Sequence, residues 1–437
     1  MTRAWYREIT WPQWRVLIAS WALWSLDAID FLILTYVLPD IARTFHLALA
    51  QASLLLLATY GVRWIGGLFV GSISDRVGRK LPLLVTLAWF TCCAVLTGLA
   101  PTFTAIVAFR LLLGFGMAPG FSLGATLIAE TWPKEYRAIA LGIHDSGWGI
   151  GGIGASLIYW FLYPHLGWRP LFFVGVVPAL VIGAFIACCV PESTIWRSRP
   201  RREVGIPAFA LFRRHPRTVA YLTLLMLVLF FTNWPMIGLF PTYLKTLHFP
   251  PHVIAQLGLT ASIGEVVGFA MSGMIAEQLG RRNGLTLMLV CGAICVAAMV
   301  RVIHLPLLAF PAAFASGACI IGMAGIWGSI LAENLPTEVR ATGVGFLYNV
   351  GSFGGGLAPF VALSTIHGLR LDFGTGLAAI TAASVVVSIV VLRFTRETKG
   401  IALNDVAGDA DDADVPEPVT AAPRSTGSPQ VARPRGT

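Results

Sequence analysis

Twelve times along the chain, a run of about 19–27 residues passes almost without charge, long enough to cross a hydrocarbon core of about 30 Å as a helix. The runs lie at roughly 16–38, 52–74, 81–101, 104–127, 139–162, 169–190, 217–241, 251–276, 284–303, 306–332, 340–366 and 373–393. Backbone in lipid must satisfy its own hydrogen bonds, so such runs fold as helices packed together. Charged residues make up 12% of the chain, against about 25% in a soluble domain. The expected fold class is therefore an all-α membrane protein with twelve transmembrane helices. The opening segment, MTRAWYREITWPQWR, is polar and basic and has no small-residue cleavage site, so the first run is expected to remain as the first helix.

Lys and Arg are unevenly placed. Arg3, Arg7, Arg15, Arg76, Arg79, Lys80, Lys134, Arg137, the cluster over 197–217, Arg281, Arg282, Arg340, Arg393, Arg396 and Lys399 fall on one side of an even number of spans. Arg43, Arg169, Lys245 and Arg370 fall on the other. The positive-inside rule then places both termini in the cytoplasm, with the spans expected in a bacterial inner membrane. The net charge of +9 is read as a topology signal and an anionic-lipid contact, with no nucleic-acid partner expected. The seven cysteines all fall within spans and lack a metal-ligand pattern with His; they are read as packing residues, with neither a metal nor a disulfide framework expected.

The chain repeats itself. GSISDRVGRK at 71–80 is matched by GMIAEQLGRR at 273–282, and ETWPKEYRAIALG at 130–142 by ENLPTEVRATGVG at 333–345. The offset is 202 residues in the first case and 203 in the second. Such register implies two six-helix bundles in parallel repeat, with a solute site near the midplane between them. The expected organisation is a first bundle over 1–190, a basic, proline-interrupted linker over 191–216, a second bundle over 217–400 and a tail over 401–437. The tail is rich in Pro, Asp and Ala, which argues disorder.

The G-x3-D-R-x-G-R-K block between the second and third spans, repeated in degenerate form in the second half, resembles the signature loop of the major facilitator superfamily. RLLLGFGMAPG in the fourth span is similar to that superfamily's Arg-x3-Gly motif. Within the superfamily, LDAIDF, VRWIGGLFVGSISDRVGRK, LGFGMAPGFSLGATLIAETWPKEYR, GWRPLFFVG and VPES-x2-W resemble the sialate:proton symporters, a group that includes sialic-acid and lactate-type carriers. Pro119-Gly120 stand where the sialic-acid branch tends to carry an acidic residue, which points away from sialic acid itself. The resemblance implies alternating access and proton-coupled uptake of a small organic acid. It also implies that Asp75, Arg79, Glu130 and Arg137, with Glu277, Arg281, Glu333 and Arg340 in the second half, form cytoplasmic charge networks that gate exchange between states.

The membrane-embedded charges carry the chemistry. Asp27 and Asp30 share a helix face at i, i+3 in the middle of the first span. A carboxylate there costs about 2.5–3.5 kcal/mol on insertion scales and needs a partner, a watery cavity or a task. At the repeat offset Asp30 meets Asn233 and Arg110 meets Ala313, so this ionisable pair exists only in the first half. Asp30 and Arg110 lie at matching depth and form a candidate proton-coupling switch, with a fixed structural ion pair as the alternative. Asp27, nearer the midplane, is the second proton candidate, and the two carboxylates would titrate as a coupled pair. Arg63 is the first candidate for a substrate carboxylate, because a guanidinium binds one bidentately; a gating or helix-pairing role is the alternative. At the offset Arg63 meets Glu265, which joins Asn233, Tyr348 and Asn349 as candidate substrate contacts. Trp234, Tyr243 and Trp327 could also line the cavity. His144 and Asp145 are expected within reach of Glu265, either as a proton relay or as a latch between the halves.

The reading is thus a monomeric secondary transporter that needs no cofactor. It draws on the proton gradient and imports a monocarboxylate, a sialate or an aromatic acid. A proton-coupled exporter or drug antiporter of the same fold, or a non-transporting receptor, are the alternatives. No nucleophile–base or metal constellation supports an enzyme.

Overall fold

A computed structural model of the protein describes residues 5–133, 136–193, 212–213, 215–335 and 340–398; the linker over 194–211 and the tail over 401–437 lie outside the described residues. The spans are α1 (Trp11–Thr44), α2 in two segments (Leu49–Gly61 and Arg63–Val77), α3 (Lys80–Leu99), α4 (Phe103–Thr131), α5 (Arg137–Leu166) and α6 (Val176–Cys189, entered through a 3-10 turn at Arg169–Phe173). The second half holds α7 (Pro216–Thr246), α8 (Pro251–Leu279), α9 (Arg281–Val302), α10 (Pro306–Ser316, then Trp327–Glu333), α11 (Arg340–Gly368) and α12 (Phe373–Leu392). Among the described residues, eleven helices are long and apolar enough to cross a membrane. The remaining long helix, α5, carries His144, Asp145 and a run of glycines that dilute its apolar character.

Two spans are not the continuous helices that the apolar runs suggest. α2 breaks at Val62, whose carbonyl accepts from both Ile65 (3.1 Å) and Gly66 (3.3 Å), so that Arg63 opens a new segment in mid-membrane. α10 passes through a π turn at Gly317–Ile321 and a 3-10 turn at Gly322–Ile326. Such interruptions mark functional depth in membrane helices.

The repeat seen in the sequence reappears as packing. α2 crosses α4 so tightly that a Cβ on Gly66 would lie 1.9 Å from the Phe115 carbonyl oxygen, and one on Gly114 1.9 Å from that of Thr59. α8 crosses α10 in the same way: a Cβ on Gly268 would lie 2.1 Å from the Ala318 carbonyl oxygen, and one on Gly317 2.0 Å from that of Ala261. Only glycine permits these approaches. At the basic face, Gly78 (φ 104°) and Gly280 (φ 90°) turn the chain out of α2 and α8. Directly afterwards, Glu192 accepts from the backbone N–H groups of Arg79 (2.9 Å) and Lys80 (3.2 Å), as Glu397 does from Arg281 (2.8 Å) and Arg282 (3.1 Å). Each carboxylate satisfies orphan donors and faces the positive end of a helix. The sequence reading passed over both glutamates.

The two bundles meet along a seam in which α2 packs on α11, α5 on α8 and α1 on α7. The small-residue face of α5 serves two neighbours. Gly149 and Gly152 admit Val266 and Ser262 of α8, while Gly151 and Gly154 admit Ala28 and Ile29 of α1.

Candidate functional site

Asp27 and Asp30 share one face of α1 but turn to different partners. Arg63 Nη2 donates to Asp27 Oδ2 at 3.2 Å, and both side chains are buried. Arg110 Nη1 donates to Asp30 Oδ2 at 2.8 Å, again with both side chains buried. Each carboxylate thus holds its own guanidinium, one from the broken α2 and one from α4. Separate counter-charges lie beside the two carboxylates that the spacing reads as a coupled pair. Asp27 keeps one oxygen, Oδ1, without a hydrogen-bond partner among the described residues.

The first pair sits in a cage of rings. The Arg63 guanidinium carbon lies 4.7 Å from the centroid of Tyr60 and 5.7 Å from that of Trp24, contacts worth about 0.5–2 kcal/mol each. Phe31 and Tyr60 meet Trp234 of α7 at 4.9 and 4.6 Å, and Trp148 of α5 joins them at 5.8 Å. Phe121 of α4 stacks on Tyr348 of α11 at 4.8 Å with 18° between the planes. Tyr348 then meets Phe230 at 5.1 Å, and Phe230 meets Trp327 at 4.7 Å. These contacts cross the seam and close it around the Asp27–Arg63 pair. Of the expected lining residues, Trp234, Trp327 and Tyr348 belong to this cage, whereas Tyr243 stacks on Phe373 of α12 at 5.6 Å, within the second bundle. Trp24, Phe31, Tyr60, Phe121, Trp148 and Phe230 were missed. Aromatic residues in a span pack against core or lipid as readily as around a cavity. Spacing would have found two of them: Trp24 precedes Asp27, and Tyr60 precedes Arg63, by three residues.

The second pair is enclosed by the first bundle. Arg110 lies over the ring of Phe172 at 4.8 Å. Asp30 lines a cavity of about 20 Å³ together with Ile33, Phe90 and Phe172, which is room for a single water.

The other candidates are more scattered. Glu265 is buried with Oε1 unpartnered. Asn233, next to Trp234, is buried with its Oδ1 also unpartnered. Asn349 donates to the Gly345 carbonyl of its own helix at 2.8 Å, and its amide faces Gly67 of α2. His144 does not turn to Glu265 but packs back into its own bundle. It is fully buried against Phe121 (5.4 Å) and parallel to Trp24 (6.3 Å), with Nδ1 3.3 Å from Asp145. The local reason is Gly124 of α4, where a Cβ would lie 3.0 Å from His144 Nε2, so the glycine makes room for the imidazole.

The two ends of the seam differ. At the far face, Lys245 of α7 pairs with Asp40 of α1 across the seam, over the rings of Tyr159 (5.1 Å) and Tyr163 (4.6 Å). Tyr163 also donates to Asp40 at 2.9 Å. None of these four residues was among the sequence candidates. Toward the basic face, Asp145 is half-exposed, and no ion pair joins the two bundles there among the described residues. The candidate gate residues that the structure describes are joined within each bundle: Arg79 to Glu130 at 3.2 Å, and Arg281 to Glu333 at 2.9 Å and to Glu277 at 2.8 Å. The side chains of Asp75, Arg137 and Arg340 lie outside the described residues.

Comparison with known proteins agrees with this architecture. The model of the Major Facilitator Superfamily matches residues 21–359. A probable 4-methylmuconolactone transporter of Cupriavidus pinatubonensis is 31% identical over 93% of this chain and 96% of its own. The sialic acid transporter NanX of Escherichia coli is 28% identical over 90% and 97%, and a cis,cis-muconate transport protein of Acinetobacter baylyi 29% identical over 88% and 95%. Among solved structures, a D-xylose-proton symporter superposes with a TM-score of 0.73 at 16% identity, covering 89% of this chain and 99% of that one.

Proposed function

Because the chain belongs to the Major Facilitator Superfamily, an integral-membrane family of transporters and not of enzymes, we propose that it takes up a small organic acid together with protons by alternating access. The observation that carries this reading is the buried Asp27–Arg63 pair at the seam, held among rings from both bundles and left with one free carboxylate oxygen. The relatives named for muconolactone, muconate and sialic acid support the substrate class.

The chemistry follows from charge balance. In the resting site Arg63 and Asp27 cancel. An incoming carboxylate takes the guanidinium in place of Asp27 Oδ2, and Asp27 leaves with a proton. The site is neutral before and after, whereas an anion entering without a proton would strand one charge in a low-dielectric interior. Leaving a buried charge uncompensated costs about 3–5 kcal/mol. The anion and the proton therefore bind together. Entry is from the far face once the Asp40–Lys245 latch has opened, and release is toward the basic face, the cytoplasmic side by the distribution of Lys and Arg. Asp30 and Arg110 tie α1 to α4 one turn away and form the second candidate switch.

The test is uptake into proteoliposomes under an imposed inward proton gradient. Labelled cis,cis-muconate, lactate, sialic acid and a neutral sugar would be compared, with Asp27→Asn alongside wild type. We expect gradient-driven uptake of an acid, none of the sugar, and loss of the gradient response in Asp27→Asn. Acid uptake that ignores the gradient in wild type would sink the reading, and efflux of lipophilic cations would replace it with an exporter.

A further inference from the structure

Among the described residues, three carboxylates are buried near the midplane, and only two of them have a counter-ion. Asp27 holds Arg63 and Asp30 holds Arg110. Glu265 of α8 is 3% exposed, makes no ion pair among the described residues, and leaves Oε1 without any hydrogen-bond partner. A lone carboxylate at this depth is costly enough that the group persists only where it is given a task or a proton.

The neighbours of Glu265 supply no positive charge at its level. α5 brings His144, turned into its own bundle and bonded to Asp145, and Asp145 itself. α10 brings Ser316, Cys319 and Trp327, with Glu333 at its basic end. α9 brings Cys291 and Cys295, with Arg281, Arg282 and Arg301 only near its ends. α7 brings Phe230 and Trp234, with Lys245 only at the far face. From the other side of the cage, Tyr348 of α11 stands within electrostatic reach of Glu265, Asp145, Asp27 and Arg63. Glu265 also sits at the joint between the bundles. The residues on either side of it along α8, Ser262 and Val266, are those that enter Gly152 and Gly149 of α5 where the bundles touch. Parting of that seam exposes Glu265 to water on whichever side has opened.

We propose that Glu265 is a second proton-carrying site, so that each turnover moves two protons with one substrate carboxylate. The first proton neutralises Asp27 when the substrate takes Arg63. The second rides on Glu265 through the substrate-loaded stroke, leaves to water when the seam opens to the cytoplasm, and is replaced from the far face after the empty carrier has returned with Glu265 ionised. Two protons with one monoanion carry a net positive charge inward, so transport of a monocarboxylate responds to membrane potential. This rests on the proton-coupled reading above, but it fails separately.

The experiment is accumulation of labelled lactate and, in parallel, labelled sialic acid, both monocarboxylates, in proteoliposomes of the full chain, at fixed proton gradient, over a series of potassium-diffusion potentials. Wild type should accumulate about tenfold more for each 59 mV of inside-negative potential, the factor for one net charge. Glu265→Gln should lose that response yet still accumulate acid in a proton gradient and still exchange labelled for unlabelled substrate. Glu265→Asp, which keeps the acid, should retain it and serves should the Gln variant not fold. Wild-type uptake that follows the proton gradient but ignores potential would overturn the second site and leave the first intact. A potential response that persists in Glu265→Gln would likewise overturn it. Uptake indifferent to the proton gradient in wild type would instead remove the underlying reading.

Discussion

The two Asp–Arg pairs of α1 are chemically alike and one helical turn apart, yet they lie in different parts of the machine. Asp27–Arg63 joins α1 to a broken helix at the seam, under rings contributed by both bundles. Asp30–Arg110 joins α1 to α4 inside one bundle, beside Phe172 and a cavity with room for one water. The difference lies in location: one pair stands where the two bundles meet, the other inside the first bundle. On the proposed reading, substrate competes for the guanidinium only at the seam.

The largest effect is expected from Arg63→Ala. It strands Asp27 in the interior, so unfolding free energy in detergent should fall by about 3–5 kcal/mol. Uptake should vanish, and the substrate should no longer raise the melting temperature. Arg110→Ala should cost similar stability for the same reason, but its substrate-induced thermal shift should survive with KM changed by no more than about twofold, since the pair lies off the seam. Equal loss of substrate protection in both variants would erase the distinction. The smallest effect is expected from Phe121→Ala, which removes the stack on Tyr348. An aromatic pair is worth about 0.5–1.5 kcal/mol beyond its burial, or roughly a 2–10-fold rise in KM for an unsaturated acid. A saturated acid of the same length should be affected less, and an equal rise for both would deny the cage a part in selecting planar substrates.

Much of this protein was legible before any coordinates. Apolar run length gives the spans, because insertion into lipid depends on local composition. The repeated blocks give two bundles, because a fixed offset survives in one dimension. Asp27, Asp30, Arg63, Arg110 and Glu265 announce themselves as charges at membrane depth. Matching depth paired Asp30 with Arg110 in the sequence, but only the tertiary structure decided the other partners. It gave Arg63 to Asp27, left Glu265 alone, broke α2 at Val62 and brought Lys245 to Asp40 across 205 residues. The physical reason is that a partner is chosen by how helices cross, here at glycines where carbonyl oxygens lie in the place of a Cβ, and no local pattern records which residues such a crossing brings together.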